Sequence, residues 1–345
     1  MKAYPTVLSA GPITRFDGLA ADAPPRSLRT KIPVRFNPFL RLLLFVLLFA
    51  ASAGVFFLGF AVLIGATSAT QMVVGAAIQL LGSVLAYAIL TLLIESRRPP
   101  VELAPRRALG LAWGLLFGTL AILVSFGVIW LLGGFRITGA AWPAEVGDWW
   151  RMVFVVGVVA GISEELLFRG VFYRLAEEVL GTWLAILLSG LGFGMMHLGN
   201  PDATWWGAIA IGLEAGLLFG VLYAWSRSLW LLIGFHFAWN VVQGPILGIT
   251  VSGTGTQTGL LRVLPEGNPL ISGGVFGAEA SVVTVVLLTT VAALLAVRLA
   301  RTGGVVAPMW SRRARQRRAI AAESAPRTPG QTDAALMPGR DQRIP

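Results

Sequence analysis

No cysteine occurs in this 345-residue chain, which excludes disulfides, a thiol nucleophile and a thiolate metal site. Charge is scarce as well. Only 13% of the residues are charged and 56% are hydrophobic, whereas about a quarter of a soluble domain is charged. Lipid must therefore be the solvent for most of the chain. There is no charged residue between Arg41 and Glu95, and 108–135, 179–201, 228–261 and 280–297 are also uncharged. A helix needs about 20 predominantly apolar residues to cross the hydrocarbon core. The formal charge of +10 resides in tails and short loops, so anionic membrane lipid and topology explain it and no nucleic-acid partner is expected.

Residues 1–37 are rich in Pro, Arg and Ala and too polar for a cleaved signal peptide, which predicts a disordered basic arm. A transmembrane domain is expected over 38–301, with eight candidate spans at 39–65, 71–95, 109–134, 151–172, 182–198, 205–225, 228–249 and 278–300. Residues 302–345, basic and then rich in Pro, Gly, Gln and Asp, are expected to be a disordered tail. No internal repeat supports a transporter built from duplicated halves. Arginines gather in alternate loops, near Arg35 and Arg41, Arg97 to Arg107, Arg174, Arg227 and Arg298 onward. Lys and Arg are retained on the cytoplasmic side, which predicts that both termini are cytoplasmic.

Ionisable groups at membrane depth cost several kcal/mol and need a partner, a wet cavity or a function. Glu164, Glu165, Arg169, His197, Glu214, His236 and Asn240 are the residues to be explained. Glu165 and Arg169 are four residues apart, close enough on one helix face to pair. Glu164 is turned about 100° from Glu165. In isolation this motif could simply anchor a helix end, and a lone histidine near a span end is commonly a hydrogen-bonded interface residue. The chain has just two histidines, however, and both lie in apolar spans. Phe193 with His197, and His236 with Asn240, repeat the spacing of four. With Gly181 as the turn between two antiparallel helices, Glu164 and His197 fall at one level, and His236 comes to a similar depth about 12 Å past Ser228. The expected fold is an all-α polytopic membrane protein of about eight transmembrane helices around a cytoplasm-facing intramembrane cavity.

A carboxylate, two imidazoles and an amide around one cavity can hydrolyse a peptide bond with activated water. Glu164 would take the proton, oriented by His197, while His236 and Asn240 donate to the oxyanion. Glu214 is a buried acid that could line the cavity or pair with Arg169 or another helix. Gly207, Gly212, Gly216 and Gly220 would allow close helix packing, and Trp205, Trp206 and Trp230 mark membrane interfaces.

Glu164-Glu165-x-x-x-Arg169, Phe193-x-x-x-His197 and His236-x-x-x-Asn240, in this order on three spans within 150–245, resemble the CAAX protease and bacteriocin-processing (CPBP, or Abi) family. The resemblance extends to type II CAAX prenyl endopeptidases. It implies an intramembrane endopeptidase in which the first Glu and the following His activate water and the second His and the Asn serve the oxyanion. Glu165, Arg169 and Phe193 would support them. It also implies a bacterial plasma-membrane location and a peptide or protein substrate, lipidated or membrane-anchored in some members. Family members are often labelled metalloproteases, and Glu164, His197 and His236 could hold zinc. With no His-Glu-x-x-His motif, a metal-free glutamic mechanism is preferred and no cofactor is required. The competing readings are a non-catalytic scaffold or immunity protein of the same fold, and a haem protein with His197 and His236 as axial ligands.

Overall fold

The computed structural model describes residues 37–62, 68–97, 99–140, 142, 146–255 and 259–323. The expected N-terminal arm and the tail beyond 323 lie outside the described residues. The helices in chain order are α1 (Pro38–Val62), α2 (Thr70–Ile94) and α3 (Pro105–Leu131), then α4 (146–180). There follow α5 (Thr182–Gly199), α6 (Trp205–Ser226), α7 (Leu229–Ile246) and α8 (Val282–Arg301), and finally α9 (Met309–Glu323). The chain is a multi-pass integral membrane protein: α2, α3, α5, α6, α7 and α8 are each long and apolar enough to cross a membrane. Two short strands are the exception to the helices, β1 (Phe135–Ala140) and β2 (Leu261–Pro265), which pair antiparallel.

The helices alternate in direction, and their ends form two faces. A basal face carries the start of α1, the ends of α2, α4, α6 and α8, and α9. A distal face carries the ends of α3, α5 and α7, the β1–β2 ribbon and the start of α8. Hydrogen bonds close both. On the basal face Arg107 donates to the Ser226 carbonyl and the Trp230 indole to that of Leu103 (3.1 Å). On the distal face Trp149 donates to Pro245 O (2.8 Å) and Trp206 to Ala280 O (2.7 Å).

Several loop arginines that signal orientation in the sequence are ion-paired on the basal face. Arg41, fully buried, reaches Glu95 at 2.9 Å and also pairs with Glu178. Arg174 reaches the same Glu95 oxygen at 2.8 Å. Arg97 pairs with Glu102, which also accepts from Tyr87 Oη at 2.7 Å. Arg227 pairs with Glu177, whose carboxylate accepts from Thr182 Oγ1 at 2.7 Å. Charges withdrawn from water need such partners, and here they knot the ends of α1, α2, α4 and α6.

The expected disordered tail requires correction over 309–323, which is helical. Arg, Ala, Gln and Met are good helix formers, so the composition that reads as a polar tail is also a helical one. The segment before α9 is tied down, with Thr182 N donating to Val306 O (3.0 Å) and Val306 N to Thr182 Oγ1 (2.8 Å). Arg312 of α9 donates to the Glu178 carbonyl.

Membrane helices gain little by hiding apolar surface from lipid and associate through close packing of small residues. The α3–α7 crossing is the tightest instance. A Cβ on Gly114 would sit 2.1 Å from the Leu231 carbonyl oxygen, and one on Gly234 would sit 2.4 Å from that of Leu111. Gly212 and Gly216 likewise back onto Gly190 and Gly194 of α5.

Removing one partner of a buried ion pair strands the others, at about 3–5 kcal/mol. Glu95→Ala, which leaves Arg41 and Arg174 facing each other, should lower the unfolding midpoint in detergent far more than Glu266→Ala, whose pair with Arg136 is exposed. Burial pushes the Glu102 carboxyl up, but Arg97 and Arg174 outweigh it and hold its pKa at about 2. Glu95 is lowered in the same sense, its own burial being outweighed by Arg174 and Arg41. A depressed carboxylate stabilises the fold above its unfolded pKa of about 4.3. Thermal stability should therefore fall as pH drops from the usual carboxylate range toward 2, and Glu102→Gln should flatten that dependence.

Candidate active site

The conspicuous polar residues of α4, α5 and α7 converge. Glu165 is fully buried, and its Oε1 accepts from Arg169 Nη1 at 3.0 Å, as the spacing predicts. The same oxygen accepts from His236 Nδ1 at 3.0 Å, across 71 residues of sequence. This bond fixes the ring: with Nδ1–H donating to Glu165, Nε2 points toward Glu164, whose Oε2 is 3.9 Å away. His236 thus stands between two carboxylates, one immobilised and one partly open.

Arg169 is fully buried, and its two terminal nitrogens find partners on more than one helix. Besides Glu165 it donates to the carbonyls of Ala215 and Gly216, each at 3.3 Å. Those carbonyls lie at the end of a π-helical stretch, Gly212–Gly216, where the wide turn disturbs the ordinary α ladder. The guanidinium also packs over the rings of Phe193 and Phe219, 4.8 and 5.1 Å from their centroids. Glu164 and Glu165 are themselves bracketed by π-helical segments of α4, Val153–Val159 and Leu166–Tyr173.

Phe193 supports the site through both its backbone and its ring. Its carbonyl accepts from His197 Nδ1 at 2.7 Å, which leaves His197 Nε2 for the cavity. Its ring packs against both imidazoles, with centroids 4.8 Å from His197 and 6.1 Å from His236. Asn240, one turn after His236, donates through Nδ2 to the Val156 carbonyl at 2.8 Å. This bond holds the amide against α4.

Glu164, His197, His236 and Asn240 all line one cavity of about 240 Å³. Gln79 of α2, Val156 and Val159 of α4 and the loop residues Val251, Ser252 and Thr254 complete its wall. Two polar contacts near the cavity escaped the sequence reading. Ser163 and Ser83 share a 2.9 Å hydrogen bond that fastens α2 beside Glu164. Asn200 donates to the Ser252 carbonyl at 2.6 Å and holds the loop over the cavity. Neither residue falls in a motif or carries charge, which is why sequence pattern passed them by.

Relative to Glu164 and His236, the lining lies on the distal side. Val155 to Ala160 precede Glu164 on α4, Asn240 follows His236 on α7, and Asn200 and the 251–254 loop are at the distal ends of α5 and α7. Toward the basal face the floor is closed by Glu165, Arg169, Leu166, Phe193 and Phe219, all buried. The lining therefore lies toward the face opposite the one that carries the start of α1 and α9. Counting residues from the Gly181 turn does not say which side of Glu164 is open.

Glu214 does not pair with Arg169. Both its carboxylate oxygens are buried without a hydrogen-bond partner, beside a water-sized void of about 20 Å³ that it lines with Glu279, Ser252, Asn240 and the far side of His236. Glu279 is satisfied by Ser252 Oγ at 3.1 Å and by Gln243 Nε2.

Among the described residues no three of His, Asp and Glu are placed to hold a metal ion together. Glu164, His197 and His236 are therefore not gathered into a metal site in this arrangement, although the Nδ1 bonds to Phe193 O and Glu165 leave the Nε2 atom of each ring free. A haem bridging the two histidines does not fit either: Phe193 packs against both rings, and the cavity is below the about 300 Å³ at which ligand pockets begin.

Residues 146–242 match the family described as type II CAAX prenyl endopeptidase, Rce1-like, a segment containing Glu164, Glu165, Arg169, Phe193, His197, His236 and Asn240. No curated protein and no solved structure matches the chain.

If Glu165 orients His236, then Glu165→Ala, which strands Arg169, should lower the unfolding midpoint strongly, whereas Glu165→Gln should retain most of the stability. The Ala variant should also free the His236 ring, seen as broadening or a shift of its imidazole NMR signals relative to those of His197, whereas the Gln variant keeps an acceptor for Nδ1–H.

Proposed function

Starting from a type II CAAX prenyl endopeptidase Rce1-like domain at 146–242, we propose that the protein is an intramembrane endopeptidase that hydrolyses a peptide bond near the membrane without a covalent intermediate. The family is one of proteases. The observation that carries the finer reading is the convergence of Glu164, His197, His236 and Asn240 on the wall of one cavity.

In this proposal Glu164, the less buried acid of the pair, is the general base. Glu165 is bound by Arg169 and His236 and is unsuited to accept a further proton, whereas Glu164 faces the cavity. A water between Glu164 and His197 Nε2 gives one proton to the carboxylate while its oxygen attacks the scissile carbonyl carbon. The resulting oxyanion is met by donors from α7. His236, flanked by two carboxylates, can present Nε2–H as the imidazolium, and Asn240 has a second amide proton beyond the one given to Val156 O. Such a donor contributes about 3–4 kcal/mol to the transition state. Collapse of the tetrahedral species breaks the C–N bond, and the proton on Glu164 passes to the leaving amine. Glu165, Arg169 and Phe193 position these groups and touch no reacting atom.

Peptide or protein segments close to the bilayer are the substrates this reading supports, since the reacting groups lie within the helical bundle. General acid–base catalysis contributes about 10²–10⁴-fold. Comparing new peptide termini in cells carrying the native protein, Glu164→Gln or His197→Ala, the cut should be present with the native protein and reduced by about that factor in either variant. Cleavage at the native rate by a correctly inserted Glu164→Gln protein would overturn the base assignment. A phenotype untouched by both substitutions would point to the scaffold or immunity reading.

A further inference from the structure

The mouth of the cavity and the distribution of loop charge can be read together. All of the lining lies distal to the level of Glu164 and His236. The basal side is closed by the packed Glu165–Arg169–Phe193–Phe219 layer and, beyond it, by the Arg41–Glu95–Arg174 cluster. The site therefore communicates with the distal face, where Thr254 is exposed at its rim.

The two faces differ sharply in charge. Basal positions include Arg106 and Arg107 between α2 and α3, Arg298 and Arg301 at the end of α8, and the arginine-rich stretch 312–318 of α9. Basal acids do not cancel this excess: Glu95, Glu102, Glu177 and Glu178 are engaged by Arg41, Arg97, Arg174 and Arg227. Distal charges are sparse and carry no excess of arginine. Arg136 pairs with Glu266 at 3.2 Å and Arg151 with Asp148, leaving Arg262 against Asp202 and the buried Glu279 on the remaining distal segments. Arginine and lysine in short loops stay on the cytoplasmic side during insertion, which orients the basal face inward.

We propose that the active-site cavity opens to the non-cytoplasmic side of the membrane, and that its substrates are peptide segments at the outer leaflet, either exported peptides or the outward-facing flanks of membrane proteins. The orientation rests on geometry and charge alone, whereas the substrate class rests on the peptidase reading. A cytoplasmic polypeptide tail would have to pass the basal ion-pair cluster and the buried layer above it to reach Glu164. A segment on the other side needs only to enter beneath the loop held by Asn200 and Ser252.

The absence of native cysteine makes the test direct. Single variants Thr254→Cys at the rim, Trp142→Cys on the distal surface and Arg315→Cys on α9 would be expressed in bacteria and treated, as intact spheroplasts, with a membrane-impermeant maleimide. Thr254→Cys and Trp142→Cys should label before lysis, and Arg315→Cys only after it. Labelling of Arg315→Cys in intact spheroplasts, or of Trp142→Cys only after lysis, overturns the orientation; Trp142→Cys keeps the test decisive should Thr254→Cys fold poorly. New peptide termini lost with Glu164→Gln should then map to non-cytoplasmic segments, and termini in cytoplasmic segments overturn the substrate class. Absence of any Glu164-dependent cut would count against the peptidase reading while leaving the labelled orientation standing.

Discussion

An arginine and a carboxylate buried among apolar helices must hold one another, since either alone would be too costly to leave in the interior. The Glu165–Arg169 pair does so, and every remaining bond it makes fastens another helix. Glu165 takes the Nδ1–H of His236 and so sets α7 against α4. Arg169 reaches the Ala215 and Gly216 carbonyls of α6 and lies over the ring of Phe193 from α5. Four helices are thus registered around one pair of opposite charges. The reacting groups are direct neighbours of that pair: Glu164 precedes Glu165, His236 is bound to it, and His197 is bound to Phe193.

Around this centre the protein uses two further means of holding helices together. The basal face is knotted by ion pairs linking α1, α2, α4 and α6. The α3–α7 and α5–α6 interfaces instead bring backbones together at glycine. Both replace the burial of apolar side chains from water, a driving force that is weak when the solvent is itself hydrocarbon. The distal face has neither device to the same degree, and its ribbon and loops carry exposed charge pairs that contribute little.

What could be read in the sequence was local or periodic. Spacings of four placed Glu165 beside Arg169 and Phe193 beside His197, and counting from Gly181 brought Glu164 and His197 to one depth, because helix rise is constant. The long apolar runs gave most of the helices directly. Tertiary pairings were not legible. Nothing in the pattern links Arg41 to Glu95, or Glu165 to His236, because pairing over such separations depends on which helix faces meet. Gly110, Gly114 and Gly118 on α3 passed unnoticed, although they line the closest helix crossing. The side on which the cavity opens depends on α5 ending just after His197 and on the 251–254 loop folding over that end, neither of which periodicity encodes. The helix of 309–323 was hidden by its own charge.

The glycine-lined contact of α3 with α7 has a mechanical consequence. Where carbonyl oxygens already lie within reach of a methyl group's position, two helices cannot slide or part without losing the contact outright, so α7 is fixed relative to α3, and His236 and Asn240 with it. The opposite wall of the cavity is built differently. There α2 presents Ala76 and Gln79 to the cavity, and below them it is held to α4 by the Ser83–Ser163 hydrogen bond, by Tyr87 packed on Gly170 and by the Glu95–Arg174 ion pair. The protein is built on an anvil, with α7 held immobile behind the chemistry by its backbone contact with α3.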